Sequence, residues 1–495
     1  MHLIIEQQIA LIYTKLPYLE SLNSAFYNCF YVSEIIHPTN VPSLVSLDYA
    51  FYGCRYIKSV DLPAMPLLTS ASYAFANCNF LTSVKLPSIL PSITDMSYAF
   101  SELPRITNIT LPATPKLTNA SRLFSGSSKL TSITFPNSFP SLTTATYMFN
   151  ELTELTSLEL NSTLFPVLEY ADYMFNGCSK LNTISIGNMP NIKTMSYMFY
   201  NCEKLENVSF PSSLTAYNMQ IMFRYCAALK SVALPSNMPN VANLSFLFAD
   251  TGLTTVPTFP QEMPDVSIMS YMFASTYITS IDISTLIPKI TDLSNMFSNC
   301  ELLESVNISS SINTVKTTAS MFSGCSNLAS VVLPQETLPY LTATGSMFYG
   351  VNKLTSIDLP PMPSVTSMTY MFYNCSSLNT IGNINLLGTS SPVLASSFFN
   401  NGYSITDISM NALLTKISFS NCTNLEHLRL NPLSSFSSTS APQIDVTNSN
   451  MDASALNLLF GDLPSVSKTI TITGSLGANT CDVSIAQLKG WTVNK

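Results

Sequence analysis

The apolar residues of this chain fall in a phrase that repeats. From Phe75 to Phe100 they occupy Leu81, Val84 and Leu86, then Ile93 and Met96, with polar residues between. The Leu-x-x-Val-x-Leu run alternates toward its end and stops at Pro87, whose nitrogen has no proton to give to a ladder. It predicts one short strand, followed by a turn and a return segment. The phrase comes back every 24 to 26 residues, marked by Phe26, Phe51, Phe75, Phe100, Phe124, Phe149, Phe175, Phe199, Phe223, Phe248, Phe273, Phe297, Phe322, Phe348, Phe372 and Phe398, and after a shortened interval by Phe419. One such unit cannot bury its apolar side alone, so neighbours must stack and share a core. The fold class expected is a β-rich α/β solenoid of about 17 coils with a parallel β-sheet.

The two ends depart from the phrase. Leu11 matches Val60 and Pro17 matches Pro66 by offset from their phenylalanines, so the first unit begins almost at Met1. A helical or extended self-cap in the first residues, or a partner protein, is expected to cover the solenoid edge there. At the other end the phrase stops after Leu425 to Leu430, and residues 431–440 are a serine-rich connection. Beyond it Gln443 to Asn448 reads as a strand, and Asp452 caps a helix from Ala453 to Phe460 that ends near Gly461. Lys468 to Thr473 alternates as a second strand, and a second helix runs from about Asp482 to Lys489, ahead of Trp491. Strand, helix, strand and helix would extend the parallel sheet by right-handed crossovers and cover its last edge. The expected division is a solenoid over 1–430, the connection, and a capping module over 441–495 in which Trp491 plugs the core.

Charged residues make up only 10% of the chain and the other polar ones are mostly Ser, Thr and Asn, so the surface should be neutral and hydrogen-bonding. A net charge of −8 without a Lys/Arg cluster argues against nucleic acid as a partner. No run of 18 apolar residues occurs, so membrane insertion is not expected. The N-terminus carries Glu6 among its apolar residues with no basic stretch before them, so a secretory leader is not expected either.

Cysteine usage follows the repeat. Cys29, Cys54, Cys78, Cys178, Cys202, Cys226, Cys300, Cys325, Cys375 and Cys422 each stand three residues after a repeat Phe, a rung that Leu103, Thr276 and Val351 fill elsewhere. Such a rung is a small buried slot, and free thiols are expected, although neighbouring rungs would be close enough to bridge. With neither C-x-x-C pairs nor convergent histidines, no metal and no cofactor are expected.

Three rows of side chains are candidates for binding. Just before the middle strand position, Ser59, Ser83, Asn108, Ser132, Ser157, Thr183, Asn207, Ser231, Thr255 and others as far as Thr380 form a small polar row pointing out of the sheet. It serves either to hydrogen-bond along a flat sheet or as a shallow face for glycans or another protein. Two residues further on, Asp61, Lys85, Glu159, Asp282, Asn307 and Asp358 vary, which is where specificity could be written or where a surface has drifted. Two residues before the repeat Phe, Tyr49, Tyr73, Tyr98, Tyr147, Tyr173, Tyr197, Tyr271 and Tyr370 recur. Their rings either stack half-buried between coils or form an interaction surface. Catalysis has little to work with. His2, His37 and His427 lie far apart in sequence, carboxylates are scattered singly, and no nucleophile-elbow, zinc-protease, P-loop or dinucleotide motif occurs. No enzyme is expected; a surface glycan hydrolase would need two carboxylates about 5 to 10 Å apart.

The unit C-x-x-L-x-x-I-x-L-P with a return ending in M-F-x-x-C resembles the BspA-type leucine-rich repeat and the related Met-Phe-rich repeats of bacterial and mycoplasma surface proteins. Met195 to Leu205 and Met368 to Leu378 carry the resemblance most fully. The ending Ala455 to Pro464, then Thr469 to Asp482, then Ala486 to Val493, resembles a terminal module of bacteriophage structural and tail proteins and gut-bacterial surface proteins. The resemblance implies a leucine-rich-repeat array used for adhesion or host recognition. Without a leader it favours a bacteriophage virion component, of a tail or fibre, that meets a protein or glycan on a host cell or holds other virion proteins, with a homo-oligomer left open. The alternative is a bacterial cell-surface adhesin.

Overall fold

Most repeats deliver a short strand, commonly of three residues as in Ser59–Asp61, Asn108–Thr110 or Ser157–Glu159, whose middle side chain turns inward while its neighbours face out. Such strands pair in parallel and, away from the shifts at Ile9/Ala10 and Val393/Leu394, in register: Ser157, Leu158 and Glu159 oppose Thr183, Ile184 and Ser185, which oppose Asn207, Val208 and Ser209. The computed structural model describes residues 9–12, 18–36, 41–160, 163–260, 263–283, 289–308, 312–384, 393–410, 414–430 and 443–495. It is a parallel β-solenoid of about 17 turns. Its contacts divide the chain into two units built alike: 1–241 with 250–252 and 257–262, and 242–249 with 253–256 and 263–495. The strands pair in groups of two or three, with one group of five toward the C-terminus; Ser231 and Thr255, expected in the same row, are exposed but lie outside any strand.

Continuous pairing is found on the return segment instead. In the first unit parallel bridges run Ser21, Ser46, Ser70, Asp95, Asn119, Thr144, Tyr170, Thr194 and Asn218, one per coil. From there the backbone enters a run of β-turns through the repeat Phe. The amides of Leu47, Tyr49, Phe51 and Gly53 donate to the next coil, at Ser70, Ser72, Ala74 and Ala76 O, over 2.8–2.9 Å. The amides between them close turns within their own coil, Ala50 to Leu47 O, Tyr52 to Tyr49 O and Cys54 to Phe51 O. This alternation needs a left-handed residue two before and two after the Phe: Tyr49 has φ 55° and Gly53 φ 68°, Tyr98 φ 57° and Glu102 φ 55°. A side chain in that region costs about 1–2 kcal/mol. The inter-coil hydrogen bond offsets it at each rung.

Inside, the repeat phenylalanines stack face to face. Phe51 and Phe75 lie 5.2 Å apart at 7° in the first unit, and Phe297 and Phe322 5.7 Å apart at 3° in the second. Near the end of the stack the sequence reading requires a correction. Phe399 carries the repeat position and Phe398 the one before it: Phe372 N donates to Phe398 O, as Phe51 N donates to Ala74 O, and the left-handed residues are Ser397 and Asn401. Both rings are buried, so the local pattern of apolar residues does not tell them apart.

The C-terminal region has the expected element order with one strand more. Strand Gln443–Asp445, helix α1 (Ala453–Asp462), strand Thr469–Thr471, the short helix α2 (Ser484–Gln487) and strand Thr492–Asn494 follow one another. Asp452 caps α1, its carboxylate accepting from Ala455 N at 2.8 Å. The three strands extend the parallel sheet of Val393–Ala395 and Leu414–Ser418. The turn ladder also continues: Phe419 N donates to Asp445 O and Val446 N to Thr471 O, so the buried Val446 and Ile472 stand where the phenylalanines stood. Helix α1 packs on strand His427–Leu430, with Arg429 forked onto Asp462 at 2.8 and 3.1 Å. Trp491 is 2% exposed and donates Nε1–H to Pro464 O at 2.8 Å. At the N-terminus Ile9–Ile12 is a strand parallel to Val32–Ile36. Residues 1–8 of the anticipated self-cap, Glu6, Pro17, His2, His37 and the serine-rich connection 431–440 lie outside the described residues. No described helix is long and apolar enough to cross a membrane.

Candidate binding surface

The tyrosine row forms because the left-handed residue before each Phe throws its side chain out along the stacking direction. In the first unit Tyr49 and Tyr73 stack at 4.6 Å, Tyr73 and Tyr98 at 4.0 Å, and Tyr147, Tyr173 and Tyr197 at 4.3 Å a step. Between Tyr98 and Tyr147 the row carries Arg122, whose guanidinium lies 5.6 Å from the first ring and 3.8 Å from the second. In the second unit Tyr271 stacks on Phe246 at 4.3 Å, and Tyr370 meets Tyr373 edge-on at 5.6 Å. Tyr49 and Tyr370 are 37% and 43% exposed and the other six are half-buried. Burial and then the neighbouring phenols push the Tyr73 hydroxyl up, as burial does for Tyr173. In the first unit the stacked ring faces are taken up by one another, which leaves edges and hydroxyls outward. Tyr27 and Tyr52, one residue after the repeat Phe, join the row at 4.9 Å from each other, and Arg122 bridges it. The sequence reading missed both because it followed tyrosine at one offset only.

The strand rows point outward as anticipated. Asp61 and Lys85 oppose each other across neighbouring strands with Nζ 2.8 Å from Oδ2, both exposed, and Asn307 donates to Asp282 Oδ2 at 3.0 Å. Asp358 lies over Gly382, in the space a Cβ there would need. Glu159 stands with Ser157, Thr183, Ser185, Asn207 and Ser209 around a shallow depression of about 540 Å³ floored by Leu158, Ile184 and Val208.

The cysteine rungs are occupied by free thiols, buried except for half-buried Cys29. The buried ones donate to the carbonyl of the Phe one coil back: Cys78 to Phe51 at 3.2 Å, Cys202 to Phe175 at 3.1 Å, Cys375 to Phe348 at 3.0 Å. Ser127 does the same to Phe100 at 2.8 Å. Burial pushes the Cys54, Cys178 and Cys422 thiols up to about 12, so they are poor nucleophiles. His427 Nδ1 lies 2.8 Å from Asp407 on the exposed strand face. Burial, then Glu151, raises the Glu102 carboxyl. Among the described residues no group of three His, Cys, Asp or Glu could hold a metal ion.

No curated protein sequence matches the chain. Among solved structures it is similar to a leucine-rich repeat protein from Bacteroides ovatus, at 20% identity over 85% of this chain and 88% of that one, with a TM-score of 0.41. A leucine rich cell surface protein from Faecalibacterium prausnitzii is 19% identical over 73% of this chain and 82% of that one, TM-score 0.30. The pneumococcal vaccine antigen PcpA is 15% identical over 84% and 88%, TM-score 0.30. The profile of the BspA type leucine rich repeat region (6 copies) matches residues 21–147, 143–266, 222–339, 266–385 and 344–454. With its repeats matched almost end to end, the chain belongs to the BspA-type leucine-rich repeat family.

Proposed function

We propose that the chain is a non-enzymatic binding protein displayed at a cell surface, an adhesin that meets a protein or glycan through the outward rows of its strands. The carrying observation is the strand pattern itself. In coil after coil the first outward position is a short hydroxyl or amide and the third varies, as Glu159, Ser185 and Ser209 do over the depression. Short side chains offer donors and acceptors while losing little rotamer freedom on binding, and the varied third row can select among ligands. The locked thiols offer such a surface no ready nucleophile. Membership of the BspA-type family supports the reading.

Purified chain is expected to bind intact cells that carry its target, read by flow cytometry. Thr183→Arg with Asn207→Arg fills the depression from exposed positions and should weaken that binding by about tenfold or more, with thermal unfolding unchanged. Binding that survives both changes, or that no cell type shows, overturns the reading. The C-terminal sequence favours a second placement, in a bacteriophage virion. Antibody against the chain separates the two, by labelling either bacterial surfaces or purified particles.

A further inference from the structure

Two exposed guanidiniums in the first four coils lie over aromatic rings and have no carboxylate partner among the described residues. Arg55 sits over Phe30 with its carbon 4.8 Å from the ring centroid, and Arg105 over Phe80 at 4.0 Å. By contrast, Arg224 pairs with Asp250 and Arg429 with Asp462. Arg55 and Arg105 share one edge of the coil, four and five residues after their repeat Phe, with a second aromatic row: Tyr31 on Tyr56 at 6.3 Å and Tyr56 on Phe80 at 5.2 Å. Tyr31 is 68% exposed and Tyr56 46%.

A guanidinium over a ring is held in place by cation–π attraction while its N–H edge stays open for a bidentate acceptor. The edge as a whole therefore combines oriented cations with exposed ring surface, over a span of about 10 Å between coils two apart. It does not offer main-chain pairing to a peptide strand, because the backbone here is already bonded between coils, Phe80 N to Arg55 O at 3.0 Å. A ligand must bring its own regularly spaced anions and its own apolar faces. We propose that this edge binds an acidic polysaccharide, with Arg55 and Arg105 taking its carboxylate or sulfate groups, Tyr31 packing on the C–H face of a sugar, and Tyr56, stacked on both sides, offering its exposed edge and hydroxyl. This site is separate from the strand rows.

The test is titration of the full chain with polygalacturonate, dextran sulfate, neutral dextran and poly-glutamate by calorimetry at two salt concentrations. The first two should bind and neutral dextran should not. Arg55→Gln with Arg105→Gln should weaken binding at least tenfold and lower the slope of log affinity against log salt by roughly one to two units. Tyr31→Ala with Tyr56→Ala should weaken it while keeping that slope. Unchanged circular dichroism and thermal midpoints establish that these exposed changes leave the fold intact. Failure of both acidic polysaccharides to bind, equal binding by the arginine variant, or tighter binding of poly-glutamate each overturns the proposal. Dextran sulfate bound in preference to polygalacturonate supports it and assigns sulfate as the group recognised.

Discussion

The thiol of Cys202 donates to the main-chain carbonyl of Phe175, 3.1 Å away in the preceding coil. That carbonyl also accepts Cys178 N at 3.2 Å, so the cysteine satisfies the second lone pair of an oxygen buried in the stack. Ser127 makes the same bond to Phe100, whereas the Thr276 hydroxyl donates to Phe273 O of its own coil, and Leu103 and Val351 fill the rung with apolar bulk alone. Cys202→Ser should cost little, whereas Cys202→Ala should cost about 1–3 kcal/mol by leaving the oxygen half-satisfied beside a small void. Urea unfolding of the two variants checks this.

The same thiols give stability a pH dependence. Folded-state values near 12 for Cys54, Cys178 and Cys422 stand above the unfolded value of about 9.0, so their contribution is complete below pH 9 and is lost as pH rises toward 12. Each should add a slope of about 1.4 kcal/mol per pH unit in that window. Thermal midpoints should fall more steeply above pH 9 for the native chain than for a variant carrying serine at all three positions. A thiol reagent at pH 8 should react promptly with Cys29 alone among the rung cysteines and reach all 11 cysteines only in denaturant.

Tyr173 combines a left-handed backbone, φ 58°, with rings stacked on both sides. Tyr173→Asn gives up the stacking but suits the backbone, while Tyr173→Val gives up the stacking and also forces a β-branched side chain into that region. The valine variant should be the less stable by about 1–2 kcal/mol in urea melts.

Two glycines near the C-terminus should respond with opposite signs. Gly474 has φ 69° and the Asn448 carboxamide occupies the space its Cβ would need, so Gly474→Ala should destabilise by about 1–2 kcal/mol. Gly461 lies in α1 with open space around it, and Gly461→Ala should stabilise by up to about 1 kcal/mol. Hydrogen exchange of the α1 amides reads both.

Phe199→Ala removes one ring from the stack between Phe175 and Phe223 and should cost about 3–5 kcal/mol. Because coils touch only their neighbours, the loss of amide protection should be concentrated in the flanking coils and fade with distance.

Much of this was legible in the chain. The period of Phe75, Leu81 and Val84 gave the strand and core, the offset of Cys54 and Cys78 gave the buried rung, and Asp452 before Ala453 marked a capped helix. The run of turns was not legible, because the bulky Tyr49 and Tyr98 hold a conformation that propensity assigns to Gly and Asn. The hint lay two residues after the Phe, where Asn28, Gly53, Asn77, Gly126 and Gly177 recur. Phe399 was masked by its equally apolar neighbour Phe398, and Val446 and Ile472 by the loss of the aromatic marker. The candidate rows could be located by offset, but ring contacts across coils, such as Arg122 on Tyr147, depend on partners about 25 residues away that no local pattern ties together.

In the turn ladder the main-chain amides through the repeat Phe run one way, Leu47, Tyr49, Phe51 and Gly53 donating to the following coil, which answers through the rung thiol of Cys78 on Phe51 O. A coil is therefore a part with one plug and one socket. Gain or loss of a whole coil leaves matching donors and acceptors at the new join. Lineages carrying such arrays can change the number and order of their outward residues without inventing a new core.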